Sequence, residues 1–112
     1  METLFLQQAR AISDYYHLGY DFYYWRTTDK QEVDFVLYGE RGFHGIEIKR
    51  KQTLQDRDVK GLILFGEDYP EATRFILYGG NRTYIHKDIK VIPFRQGLKE
   101  LSNLLNASEI SA

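Results

Sequence analysis

EVDFVLYGERGFHGIEIKRK, residues 32–51, holds two short apolar stretches on either side of a glycine-bearing turn. The alternation in Glu32–Tyr38 predicts a strand, with Val33, Phe35 and Leu37 on one side and Glu32, Asp34 and Val36 on the other. The turn at Gly39–Gly42 leads into a second run, Phe43–Lys49, in which Ile46 and Ile48 share one face and Gly45, Glu47 and Lys49 the opposite one. The segment therefore reads as an antiparallel hairpin with one apolar face and one face that bears charge.

Upstream, Phe5, Ala9, Ile12 and Tyr16 recur at helical spacing, so Glu2 to about Tyr16 reads as a helix interrupted by Gly19. Phe22–Arg26 is short and aromatic and reads as a strand. Downstream, Thr53 and Asp56 have capping-box spacing, followed by an apolar stripe at Val59, Leu62 and Ile63. Gly66 can cap that helix, and Pro70 lies beyond it. Thr73–Tyr78 is the next strand, so the chain makes a strand–helix–strand crossover, which implies parallel pairing. Gly79-Gly80-Asn81 is a turn, and Tyr84–Ile92 forms one or two short strands around Lys87-Asp88. Pro93 opens a last helix with Phe94, Leu98, Leu101 and Leu105 on one face. The expected fold is α/β with a mixed central sheet, a single domain over residues 1–106 and a flexible tail at 107–112.

Composition narrows the function classes. A chain of 112 residues is one domain, and a net charge of −1 excludes a strongly basic nucleic-acid binder. There is no cysteine, hence no disulfide or Cys-based zinc site. No apolar run is long enough for a membrane span, and the first residues lack the pattern of a signal peptide, so a cytoplasmic location is expected. A local basic run, Lys49, Arg50, Lys51, Arg57 and Lys60, is either a solvated face or a set of phosphate contacts. The nine Tyr and seven Phe fit core and half-buried sheet packing. Trp25 and its Tyr neighbours have base stacking as their other reading.

Asp34, Glu47 and Lys49 combine two carboxylates with a cation on adjacent strands. Divalent cations such as Mg²⁺ take hard oxygen ligands, and a nearby cation stabilises the charge that builds on a phosphate under attack. The competing reading is a sheet with one solvated face and a cross-strand Glu–Lys pair. Glu2, near the inward edge of the first helix, is either a favourable first-turn acid or a further ligand. His44 has odd separation from Glu47 and points to the other sheet face, and His17 and His86 lack metal-ligand spacing. Ser13, Ser102 and Ser108 have no nucleophile context.

Taken together, ETLFLQQARA, FYYWRTTDKQEVDFVL, GIEIKRK, DVKGLILFGEDYP and VIPF resemble a PD-(D/E)XK nuclease-like domain of unknown function that usually follows an AAA-type ATPase module. The resemblance runs from Glu2 to about Leu105. It implies a restriction-endonuclease-like core of order α-β-β-β-α-β, with an extra C-terminal strand and helix. It puts Asp34 and Glu47 in the metal-ligand positions with the Ile48 carbonyl, Lys49 in the catalytic-lysine position and Glu2 in the helix-acid position. Mg²⁺ or Mn²⁺ is the implied cofactor and DNA the implied substrate. Val33 stands where the motif usually has proline, and no phosphate-binding Gly-x-x-x-x-Gly-Lys-Ser/Thr loop is present. The chain is then either a piece of a larger protein or a free-standing product, with ATP-driven motion supplied by an ATPase partner. The alternative expectation is a non-catalytic accessory or docking domain that regulates such a partner. Domains of this fold also often pair, so a homodimer is a further expectation.

Overall fold

The computed structural model describes residues 1–106, so the expected flexible tail at 107–112 lies outside the described residues. Helix α1 spans Glu2–Tyr15, followed by strands β1 (Asp21–Arg26), β2 (Glu32–Gly39) and β3 (Gly42–Lys49). Helix α2 (Asp56–Asp68) then leads into β4 (Thr73–Tyr78), and β5 (Tyr84–His86) and β6 (Ile89–Pro93) follow. Two short helices, α3 (Phe94–Lys99) and α4 (Leu101–Leu105), close the described chain.

The six strands form one open sheet in the order β1-β2-β3-β4-β6-β5. β1/β2, β2/β3 and β5/β6 are antiparallel, whereas β3/β4 and β4/β6 are parallel. The mixed sheet and the parallel crossover through α2 are as the sequence predicts. Lys87 and Asp88, both at positive φ, make the tight β5–β6 turn. No helix of the described residues is long and apolar enough to cross a membrane.

Both faces of the sheet are covered. Phe5 and Ala9 of α1, with Leu101 and Leu105 of α4, pack on Leu37, Ile46, Ile48, Phe75, Leu77 and Ile92. Val59, Leu62 and Phe65 of α2 pack on the opposite face against Val33, Val36, Ile76 and Val91. Two glycines allow α2 to sit this close. A Cβ on Gly61 would lie 2.4 Å from the Glu32 carbonyl oxygen, and one on Gly45 2.8 Å from the Phe65 ring.

One departure from the expected alternation matters for the site. Tyr23 pairs with Val36 and Trp25 with Val33, so Asp34 and Phe35 together stand opposite Tyr24. This is a β-bulge. It moves Val33 away from Phe35 and Leu37 and into the layer under α2 with Val36, which corrects the predicted grouping of Val33.

The other corrections are local. Tyr16 is exposed rather than on the buried stripe of α1, where Ser13 is buried and accepts the Tyr20 N–H at 3.1 Å. The capping interaction before α2 joins Gln55 and Asp58 rather than Thr53 and Asp56, with the Gln55 N–H donating to Asp58 Oδ2 at 2.8 Å. Gly66 lies inside α2, which continues to Asp68. The last helix breaks at Glu100 into two pieces.

Candidate metal and acid site

β3 is an interior strand, flanked by β2 and β4. Its alternation sends Ile46 and Ile48 toward α1 and Glu47 to the face covered by α2. Glu47 is therefore only 4% exposed. The solvated charged face that would explain a Glu–Lys pair is absent at this residue.

Burial disfavours the charged form of Glu47, and Asp34 adds a hydrogen bond and like-charge repulsion. Lys49 and the Asp34 N–H work in the opposite direction, and the net result is a Glu47 pKa pushed up to about 9. Glu47 consequently holds its proton at neutral pH and shares a hydrogen bond with the Asp34 carboxyl. The bulge places Asp34 at this point of β2, where the ladder is locally interrupted and a side chain can be re-aimed. The second carboxyl oxygen of Glu47, Oε2, is buried and has no hydrogen-bond partner.

Lys49 lies two residues further along β3, opposite Tyr78 of β4, and is partly exposed. Its charge acts on Glu47 and also on Asp58 of α2. Asp58 was not singled out from sequence, although its position three residues after Gln55 is the available signal. Burial works against its ionisation, but the Gln55 N–H, Lys51 and Lys49 outweigh that and hold its carboxyl below the usual range. Lys51 Nζ donates to both Asp58 oxygens, at 3.0 and 3.1 Å.

The remaining sequence candidates are dispersed around this centre. Glu2 is ion-paired with Arg50 at 3.6 Å and with the chain's own amino group at 3.7 Å. Among the described residues no three His, Cys, Asp or Glu side chains converge as a metal cluster, so Glu2 is not gathered with Asp34 and Glu47. The Ile48 side chain is buried toward α1, which leaves only its backbone for the site. Arg50 and Lys51 are engaged by Glu2 and Asp58, whereas Arg57 and Lys60 stand exposed one helical turn apart on α2. His44 lies on the other face, as its spacing predicts, bonded to the Tyr20 hydroxyl and Thr73 Oγ1.

The two carboxyls are hard oxygen donors of the kind a small divalent cation takes. Mg²⁺ is commonly held by one or two carboxylates and completes its shell with water and phosphate oxygens. Asp34 and Glu47 supply two such carboxylates, and the orphaned Oε2 is an oxygen without a present use.

A family model described as Domain of unknown function (DUF4143) matches residues 1–97, and the chain belongs to that family. No curated protein and no solved structure matches the chain.

Proposed function

We propose that the domain is a Mg²⁺- or Mn²⁺-dependent phosphodiesterase acting on DNA, built on a PD-(D/E)XK-type core. The observation that carries this reading is the buried, unpartnered Oε2 of Glu47 beside Asp34. A buried polar atom left unsatisfied costs about 1–3 kcal/mol, so its retention asks for a use. The element order supports the same reading: one helix, three antiparallel strands, a crossover helix and a parallel strand.

A divalent cation held by Asp34, Glu47 and the Ile48 carbonyl would supply Lewis acidity at the phosphate and lower the pKa of a bound water. Glu47 must give up its proton to serve as a ligand, and the charge of Lys49 favours that step. Lys49 then offers three N–H donors to the attacking water or to the phosphate oxygens as their negative charge grows. Arg57 and Lys60 provide exposed charge for the DNA backbone, with Arg50 and Lys51 available if their acidic partners yield.

A second reading follows from the same burial. A Glu47 that is 4% exposed and protonated at neutral pH also suits a nuclease-like domain that has kept its carboxyls for structure and docks on an ATPase partner. Cleavage of supercoiled, linear and branched DNA in Mn²⁺ and in Mg²⁺ separates the two, with Asp34→Ala assayed alongside. Metal-dependent cutting lost in the variant is the expected result. No cutting by the unaltered protein, together with no calorimetric Mn²⁺ binding, would refute the enzyme and leave the docking role.

A further inference from the structure

Away from the acid pair, a run of aromatic side chains that is exposed at one side lies at the C-terminal end of α2. Trp25 meets Phe65 at 5.6 Å between ring centroids, Phe65 meets Phe43 at 5.7 Å, and Phe43 meets both Tyr69 at 5.2 Å and Tyr38 at 4.9 Å. With Tyr23 these rings line an open groove of about 500 Å³. Trp25 and Phe65 belong to the core under α2, but Tyr23 and Tyr38 are each 54% exposed. Core packing alone does not require rings in that position.

Two further observations define what the groove can take. β1, which contributes Tyr23, Tyr24 and Trp25 to its wall, is an edge strand with β2 on one side only. Its outward N–H and C=O groups are a template for another strand. The charge carried by the lining is negative. Among the described residues Glu71 is the one charged residue in the groove lining, and Glu67 and Asp68 precede it in the last turn of α2. That last turn has no basic residue to offset the negative end of the helix dipole. Arg26, paired with Glu32 at 3.5 Å, lies over the Tyr24 ring at 5.5 Å, so one ring of the groove wall already holds a cation of the chain itself. Arg74 donates to the neutral Leu62 carbonyl at 3.3 Å and keeps its charge, but it is not part of the lining.

We propose that this groove docks an extended, basic peptide segment of a partner protein, which adds beside β1 and sets a lysine or arginine side chain against the ring cluster. Aromatic rings with a carboxylate beside them attract such a cation twice, through the ring quadrupole and through charge. The same charge disfavours the competing occupants. Phosphates of a single-stranded nucleic acid would meet the Glu71 carboxylate and the negative end of α2, and a symmetric second copy would set those charges against themselves. The proposal stands whether or not the acid pair cuts DNA.

Trp25 is the single tryptophan of the chain, so its emission reports on the groove. The test is a titration of the full chain with acetyl-(Val-Lys)₅-amide, with (Val-Glu)₅ and oligo-dT of twelve nucleotides in parallel. The expected result is a saturable emission change with the basic peptide alone, weakened about tenfold by Glu71→Lys and by Tyr69→Ala, each a loss of one favourable contact. Both positions are exposed, and unchanged melting of the variants would show that the fold is intact. No saturable response to the basic peptide, or equal affinity in the unaltered chain and both variants, would overturn the proposal. So would preferential binding of the oligonucleotide, or a sedimenting dimer that excludes the peptide.

Discussion

Replacing Glu47 by glutamine should stabilise the protein, and increasingly so as the pH rises. A glutamate in the unfolded chain ionises near 4.5, whereas native Glu47 holds its proton to about 9. Between those values the native state binds one more proton than the unfolded state. Raising the pH therefore lowers stability, by about 1.4 kcal/mol per pH unit for one group. His44 acts with the opposite sign. Its burial lowers its pKa from 6.5 to about 4, so stability rises with pH between those values and is flat above them. The two slopes oppose each other from about 4.5 to 6.5, which leaves the Glu47 slope unopposed by His44 from there to about 9.

From pH 6.5 to 8.5 the unaltered protein should thus lose about 3 kcal/mol, a large share of the roughly 5–15 kcal/mol that holds a domain of ordinary stability. Glu47→Gln keeps the shape, can donate an amide hydrogen bond to Asp34 and has no proton to lose. Urea denaturation at 25 °C and pH 5, 6.5, 7.5 and 8.5, followed by Trp25 emission and circular dichroism, measures both proteins. Contributions from groups common to the two cancel in the difference. A difference that stays constant across this range would mean that Glu47 is ionised in the native protein, and the description of the acid pair given above would fail.

Three other outcomes are expected. Mn²⁺ must displace the Glu47 proton, so its affinity should rise about tenfold per pH unit between pH 6 and 8, with about one proton released per ion in calorimetry across buffers of different ionisation enthalpy. Gly61→Ala puts a Cβ against the Glu32 carbonyl, a backbone atom that cannot swing aside, and should cost about 1–3 kcal/mol in denaturant melts. Tyr20→Phe removes a buried hydroxyl that donates to the Leu105 carbonyl and bonds His44 Nε2. Its expected cost is about 1–3 kcal/mol, with faster amide exchange in α4 than in β3.

Much of this architecture was legible because its signals are local. The hairpin from Glu32 to Lys49, the helix between two parallel strands and the turn at Lys87-Asp88 each follow from short patterns that the structure repeats to within a residue or two. The bulge was not legible, because Val33, Phe35 and Leu37 alternate as a regular strand would. Alternation assigns faces only when one face is wet, and here α1 and α2 cover opposite sides, so an apolar residue is acceptable on either. The same fact changes the meaning of Glu47. On a one-sided sheet it would sit in water, and a Glu–Lys pair would be an adequate account of it. Under α2 that account fails, because the carboxyl is buried, keeps its proton and leaves Oε2 without a partner. Whether the residue is a cost or a ligand then depends on what enters beside Asp34. Asp34 is itself partly exposed, so an ion or water can reach the pair from the Asp34 side while Glu47 stays buried.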